Sequence, residues 1–203
     1  VFPPYNADQL KDILRQRSSL AFDEGVLEEA VIPLCAALAA QEHGDARRAL
    51  DLLRIAGEIA ERENAERVQE LHVLKAKNKM ELDCVSEAIR TLPTQSKLVL
   101  MCIVANVEKG TGRLTTGDVY ETYKETSRIL GMGPLTQRRI TDLISELDML
   151  GIIHARVRSF GRGGRTKEID LSVPIAETKK VLEEDEVFIG LKHYKQRNQT
   201  TLM

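Results

Sequence analysis

PLTQRRITDLISELDMLGIIHARVRSFGRGGRTKEIDLSV, Pro134 to Val173, decides the fold of the second half of the chain. Its first part predicts a helix from about Thr136 to Leu150. At 100° per residue Ile140, Leu143, Ile144 and Leu147 gather on one side, which must face a core. Arg138, Thr141 and Ser145 lie opposite, flanked by Gln137 and Arg139. The second part alternates with period two. Ile153, Ala155 and Val157 interleave with His154, Arg156 and Arg158; on the return Ile169, Leu171 and Val173 interleave with Glu168, Asp170 and Ser172. Gly161, Arg162, Gly163 and Gly164 stand between the two runs as the tip of a β-hairpin.

Upstream, Thr94 follows Pro93 and is expected to cap a helix holding Leu98, Val99, Cys102 and Ile103. A Gly- and Thr-rich loop, Lys109 to Thr116, precedes a helix with Val119, Tyr120 and Tyr123. Gly131, Gly133 and Pro134 then break the chain before the helix at Thr136. Three helices followed by a hairpin is the order of a winged helix-turn-helix. After Pro174 a charged amphipathic helix is expected from Ile175 to about Glu186, then a polar tail that frays.

The first third reads as all helix. Asn6 and Gln9 have capping-box spacing ahead of Leu10, Ile13 and Leu14. A second helix starts near Pro33 and ends near Gly44. A third is capped by Asp45 and carries Ala46, Ala49, Leu50, Leu53, Ala56, Ile59 and Ala60 on one face. A fourth, shorter and more charged, is expected around Val68 to Lys77. A boundary falls near Asn78 to Asp83, where charge is dense and the apolar pattern thins. The expected fold class is thus mainly α, with a helical bundle over residues 1–80 and a winged-helix domain with a β-hairpin wing over 81–203.

Composition narrows the function. Lys plus Arg number 29 and Asp plus Glu 31, a formal net charge of −2, so binding to nucleic acid must come from a local cluster. Aromatics make up 4% and Trp is absent, against a binder that stacks single-stranded bases on aromatic platforms. The longest apolar run, Leu98 to Ala105, is far short of the ~20 residues that span a bilayer, and no leader pattern opens the chain. The expected location is cytoplasmic and nucleoid-associated. Three scattered cysteines and four histidines without ligand spacing give neither a disulfide framework nor a metal site. The chain opens Val-Phe-Pro-Pro without Met and reads as part of a longer protein.

The local cluster exists. From Gly151 to Lys167 the charged side chains are Arg156, Arg158, Arg162, Arg165 and Lys167, with no Asp or Glu. Such a hairpin is expected to be neutralised by a polyanion. Arg and Gln near the start of the preceding helix pair bidentately with base edges, and Thr reaches base or phosphate. Gln137, Arg138, Arg139 and Thr141 are therefore the candidate major-groove residues, and the hairpin cations the candidates for phosphates or the minor groove. The glycines of GRGGRTK lie between two strand patterns, not ahead of a helix, so they do not form a phosphate-binding loop.

VFPPYNADQLKDILRQR (Val1 to Arg17), GDARRALDLLRIAGEIAE (Gly44 to Glu61), LPTQSKLVL (Leu92 to Leu100) and PLTQRRITDLISELDMLGII (Pro134 to Ile153) together resemble one family. It is that of the archaeal origin-recognition and cell-division-control type replication initiators, members of the AAA+ ATPases. The resemblance implies the C-terminal part of such an initiator: the helical AAA+ lid, with a sensor-2 helix over 45–63, and the winged helix. It marks Arg47 of the GDAR motif as the sensor-2 arginine, and Tyr5 and Arg17 as nucleotide-site residues. It implies ATP or ADP with Mg in the intact protein, none held tightly by this chain alone. Its implied partners are double-stranded origin DNA, the replicative minichromosome-maintenance helicase and other initiator subunits. No GxxxxGK[ST] and no Walker B strand occur in these residues, so no catalytic residue and no autonomous ATPase activity are expected. Two other readings fit the same pattern: a winged-helix transcriptional regulator with a helical dimerisation domain, and a helical interaction module of an AAA+ clamp loader.

Overall fold

The computed structural model describes residues 3–110, 112–159 and 165–188, Arg165 by its backbone alone. The architecture is mainly α, with eight α-helices and a three-stranded antiparallel sheet among the described residues. It divides into two compact units, Val1–Asp83 and Cys84–Met203.

The first unit is built on α1 (Ala7–Ala21), α2 (Val31–Glu42), α3 (Ala46–Arg62) and the first part of α4 (Glu70–Thr91). The Asn6 side chain accepts from the Gln9 N–H (2.9 Å) and the Gln9 side chain accepts from the Asn6 N–H (3.1 Å), the reciprocal cap read from the sequence. Leu10 and Leu14 of α1, Cys35 and Ala36 of α2, and Ala49, Leu53 and Ala56 of α3 are buried together. Small residues on α2 and α3 let these helices approach closely. The β-type pairing described here is a single parallel bridge, Leu27 to Val68.

Helix α4 corrects one expectation. It does not end near Lys77 but runs 22 residues to Thr91, through the segment read as a boundary. Nothing between Glu70 and Thr91 is Gly or Pro, and Ala, Leu, Met, Lys and Glu dominate, so the helix continues where the apolar pattern thins. Val73 and Ala76 belong to the first core and Ile89 to the second.

The second unit holds α5 (Thr94–Lys109), β1 (Leu114–Thr115), α6 (Thr116–Ile129), α7 (Gln137–Met149), β2 (Ile153–Ser159), β3 (Arg165–Leu171), α8 (Ile175–Glu183) and a 3₁₀ turn over Glu186–Phe188. Thr94 is not the cap of α5. Pro93 occupies that position, with φ −58° and ψ 149° and without a side-chain bond, and Thr94 is the first helical residue. The loop before α6 contains a short strand: β1 pairs with β3, Leu114 opposite Ile169, giving the order β1-β3-β2. Two residues are too few to show alternation in a sequence. Helix α8 stops at Glu183, and the 3₁₀ turn buries Phe188. Cys35 and Cys102 are buried, and burial pushes both thiols up to about 12, so they act as small apolar groups.

Candidate nucleic-acid interface and lid site

Helix α7 is held from both ends. The Thr136 side chain accepts from the Arg139 N–H (3.4 Å) at its start. At its end Gly151, with φ +71°, turns the chain into β2, and the Ile152 N–H returns to the Leu147 carbonyl (3.1 Å). Ile140, Leu143, Ile144 and Leu147 are buried in the core with Leu98, Ile103 and Tyr123. Tyr123 is fully buried. Its hydroxyl donates to Gln95 Oε1 (2.7 Å) and accepts from the Leu135 N–H (3.2 Å), which ties down the turn leading into α7. The first turn of α7 is thereby fixed with Gln137, Arg138 and Arg139 exposed.

These candidates differ in availability. Arg138 has no hydrogen bond or ion pair among the described residues. Arg139 pairs with Glu146 two turns on (3.3 Å). The Thr141 hydroxyl donates to the Gln137 carbonyl (3.0 Å), so only its lone pairs face outward. Ser145, read from the sequence as lying on the outward side, is half-buried. Its hydroxyl donates to the Thr141 carbonyl (2.8 Å) and accepts from Lys167 Nζ of β3. Lys167 is thus drawn against α7, and this bond fastens the hairpin to the helix.

The hairpin pairs Ile153 with Leu171, Arg156 with Glu168 and Ser159 with Arg165. The expectation that its cations are uncompensated needs correction. Glu168 stands one residue beyond the acid-free stretch. The antiparallel register sets it opposite Arg156 and diagonal to Arg158, and it forms ion pairs with Arg158 (Nε to Oε2, 2.6 Å) and Arg113 (Nε to Oε1, 3.1 Å). Arg113 is a further exposed cation that the sequence reading missed; only the β1–β3 pairing brings it to the hairpin. Arg156 makes no ion pair among the described residues and donates from Nε to His154 Nε2 (2.8 Å). Arg162 and the side chain of Arg165 lie outside the described residues.

In the first unit the GDAR motif forms the turn into α3. Asp45 accepts from the Arg47 N–H (2.8 Å). Gly44 has φ +64°, and a Cβ there would sit 2.5 Å from the Tyr5 carbonyl oxygen; the Tyr5 N–H donates to the Gly44 carbonyl (3.0 Å). Tyr5 and the start of α3 are therefore held together by backbone contact that only glycine permits. Arg48 pairs with Glu42, whereas Arg47 is exposed and makes no ion pair among the described residues. The Tyr5 side chain is about half exposed. Arg17 is not part of that corner. It lies ten residues into α1, ~15 Å along the axis from Ala7, and lines a groove of about 720 Å³ with Phe22, Leu50, Arg54 and Gly57. Among the described residues no group of His, Cys, Asp or Glu could hold a metal, and no helix is long and apolar enough to cross a membrane.

A helical lid-type bundle and a three-helix unit with a β-hairpin define a class: a winged-helix module carried with an AAA+ lid. Comparison with known proteins is specific. The Cdc6 AAA+ ATPase-type lid domain matches residues 11–78, and the CDC6 C-terminal winged helix domain matches residues 87–181. ORC1-type DNA replication protein 1 of Methanosarcina mazei is 60% identical over 187 residues, covering 91% of this chain and 45% of that relative. The ORC1-type DNA replication protein of Pyrococcus furiosus is 61% identical over 185 residues, covering 91% and 44%. The solved structure of the Aeropyrum pernix ORC1 protein in complex with DNA superposes with a TM-score of 0.74 at 53% identity, covering 94% of this chain and 50% of that one. The chain belongs to the Cdc6/ORC1 family of archaeal replication initiators, of which it carries the lid and the C-terminal winged helix. It spans about half the length of the relatives it matches.

Proposed function

We propose that the winged helix binds double-stranded origin DNA and that the lid completes the nucleotide site of an AAA+ core lying outside this chain. The first turn of α7 enters the major groove: Arg138 reads a base edge, and Gln137, Arg139 and Thr141 contact bases or phosphates. The hairpin cations Arg156, Arg158, Arg162, Arg165 and Lys167 lie along phosphates or the minor groove. One observation carries the reading: Arg138 is exposed on a helix turn seated in the core and has no partner among the described residues, as suits a group kept for an outside acceptor. The similarity to a replication protein solved with DNA supports it.

Arg47 is the residue that would reach the phosphates of ATP or ADP with Mg, and Tyr5 lies ready for the base. Arg17, which the family resemblance assigns to the same nucleotide, stands apart from this corner in the groove along α1. Bound nucleotide supplies the switch; this chain's residues bind and orient it, and hydrolysis belongs to the core. The protein acts on chromosomal origins in the cytoplasm, with other initiator subunits, to load the minichromosome-maintenance helicase.

Duplex affinity measured for the wild type and Arg138→Ala tests the DNA reading. The variant is expected to lose about 1–3 kcal/mol on a preferred sequence and much less on random duplex. Equal loss on both reduces Arg138 to a phosphate contact. For the lid, Arg47→Ala in the full-length protein is expected to weaken nucleotide binding or turnover, and wild-type values for both refute the assignment.

A further inference from the structure

We propose that Asp142 is a sequence-determining residue of the duplex interface, accepting a hydrogen bond from the exocyclic amine of a cytosine in the major groove. The inference rests on the duplex-binding reading above. The buried residues of α7 (Ile140, Leu143, Ile144, Leu147) define its inner side. The direction opposite them, at 100° per residue, passes between Arg138 and Met149, with Asp142 and Ser145 about 30° to either side. The outward side of the helix thus carries one cation and, a turn later, one anion.

Helix α7 has three acidic residues, and two are engaged. Glu146 pairs with Arg139 (3.3 Å). Asp148 accepts from the Ala155 N–H (3.0 Å) and stands 3.7 Å from His154. Asp142 is exposed and makes no hydrogen bond or ion pair among the described residues. Arg138 lies four residues before it, at the spacing where helical ion pairs form, yet the two do not pair. A carboxylate on a face that meets a polyanion is repelled by phosphates. A donor in the groove compensates it.

An ionised carboxylate accepts and never donates. The major groove offers two base donors, cytosine N4–H and adenine N6–H. Adenine sets its N7 acceptor beside the amine, and a carboxylate there meets a like lone pair. Cytosine has no such neighbour on its own edge, so it is the favoured partner. Arg138 forks onto guanine O6 and N7, and the two side chains are separated by one helical turn, about 5.4 Å. Their targets therefore lie about one or two base pairs apart. Where no amine faces it, the same carboxylate penalises binding, so one residue both selects and rejects.

The test uses the 203-residue chain and its Asp142→Ala and Asp142→Asn variants, equilibrated with a randomised duplex pool whose bound fraction is sequenced. The wild type is expected to enrich cytosine at one position. Asp142→Ala should lose that preference, roughly 5- to 150-fold in discrimination, and keep those at other positions. Asp142→Asn should shift it toward adenine, whose N6 and N7 suit an amide. Replacing the selected cytosine by an analogue without the 4-amino group should weaken the wild type by that same factor and leave Asp142→Ala unchanged. Three results overturn the proposal. A uniform gain in affinity on every sequence by both variants reduces Asp142 to a repelling charge. Enrichment of adenine that depends on its 6-amino group replaces the cytosine assignment. A wild-type chain that fails to bind any duplex removes the interface itself.

Discussion

Glu168→Gln isolates the electrostatic restraint on the wing. The Glu168 carboxylate is 16% exposed and holds Arg158 (2.6 Å) and Arg113 (3.1 Å), whose side chains are 52% and 74% exposed. The substitution keeps the shape and removes one negative charge from a surface proposed to meet phosphates. A unit charge about 8 Å from a phosphate is worth ~0.5 kcal/mol in water, and salt near 0.15 M screens more than half of that. Two such phosphates give up to about a twofold tighter complex on any duplex. If both released arginines take up phosphates, the slope of log K against log salt steepens by up to about 1.8. Stability should change by less than ~1 kcal/mol, because ion pairs to arginines this exposed contribute little. Fluorescence anisotropy of a labelled duplex between 50 and 300 mM salt reads both quantities. An unchanged slope with unchanged or weaker affinity would place Arg113 and Arg158 away from the DNA and refute the reasoning.

Tyr123→Phe removes a buried hydroxyl and leaves Gln95 Oε1 and the Leu135 N–H without it, so the second unit should lose about 1–3 kcal/mol in denaturant unfolding; wild-type stability would mean that neighbouring groups or water replace both bonds. Gly44→Ala puts a Cβ 2.5 Å from the Tyr5 carbonyl oxygen at φ +64°, and about 2 kcal/mol or more should be lost from the first unit, read from its own unfolding transition. The Lys97 ammonium beside Asp185 (2.7 Å) holds that carboxyl below its ordinary value. A depressed carboxylate pKa stabilises the fold above the unfolded value and ceases to do so as pH falls through the folded one. The stability deficit of Lys97→Met should therefore be present at pH 6 and vanish well below pH 3.8; a deficit independent of pH assigns it to packing instead.

Much of this molecule is local in origin. Capping pairs such as Asn6 with Gln9, the apolar stripe of α7 and the strand alternation on either side of the Gly-rich tip act over a few residues, so the sequence states them directly. The GDAR turn was legible for the same reason, since Asp45 caps a helix two residues away. Where reach was long, the sequence was silent. Helix α4 passes through a charged stretch with Val73 and Ala76 buried in one core and Ile89 in the other, and both cores are assembled from distant segments. Strand β1 exists only because β3 is beside it.

The candidate interface divides along the same line. Arg138, Gln137 and the basic hairpin are determined by the order of residues. Which of those charges is free was decided by the folded structure: cross-strand register brings Glu168 to Arg158 and Arg113, two helical turns bring Glu146 to Arg139, and Asp142 is left without a partner among the described residues. Charge on a residue is a property of the sequence. Its compensation depends on contacts a few ångströms long between groups that can be tens of residues apart, and only folding brings those groups together.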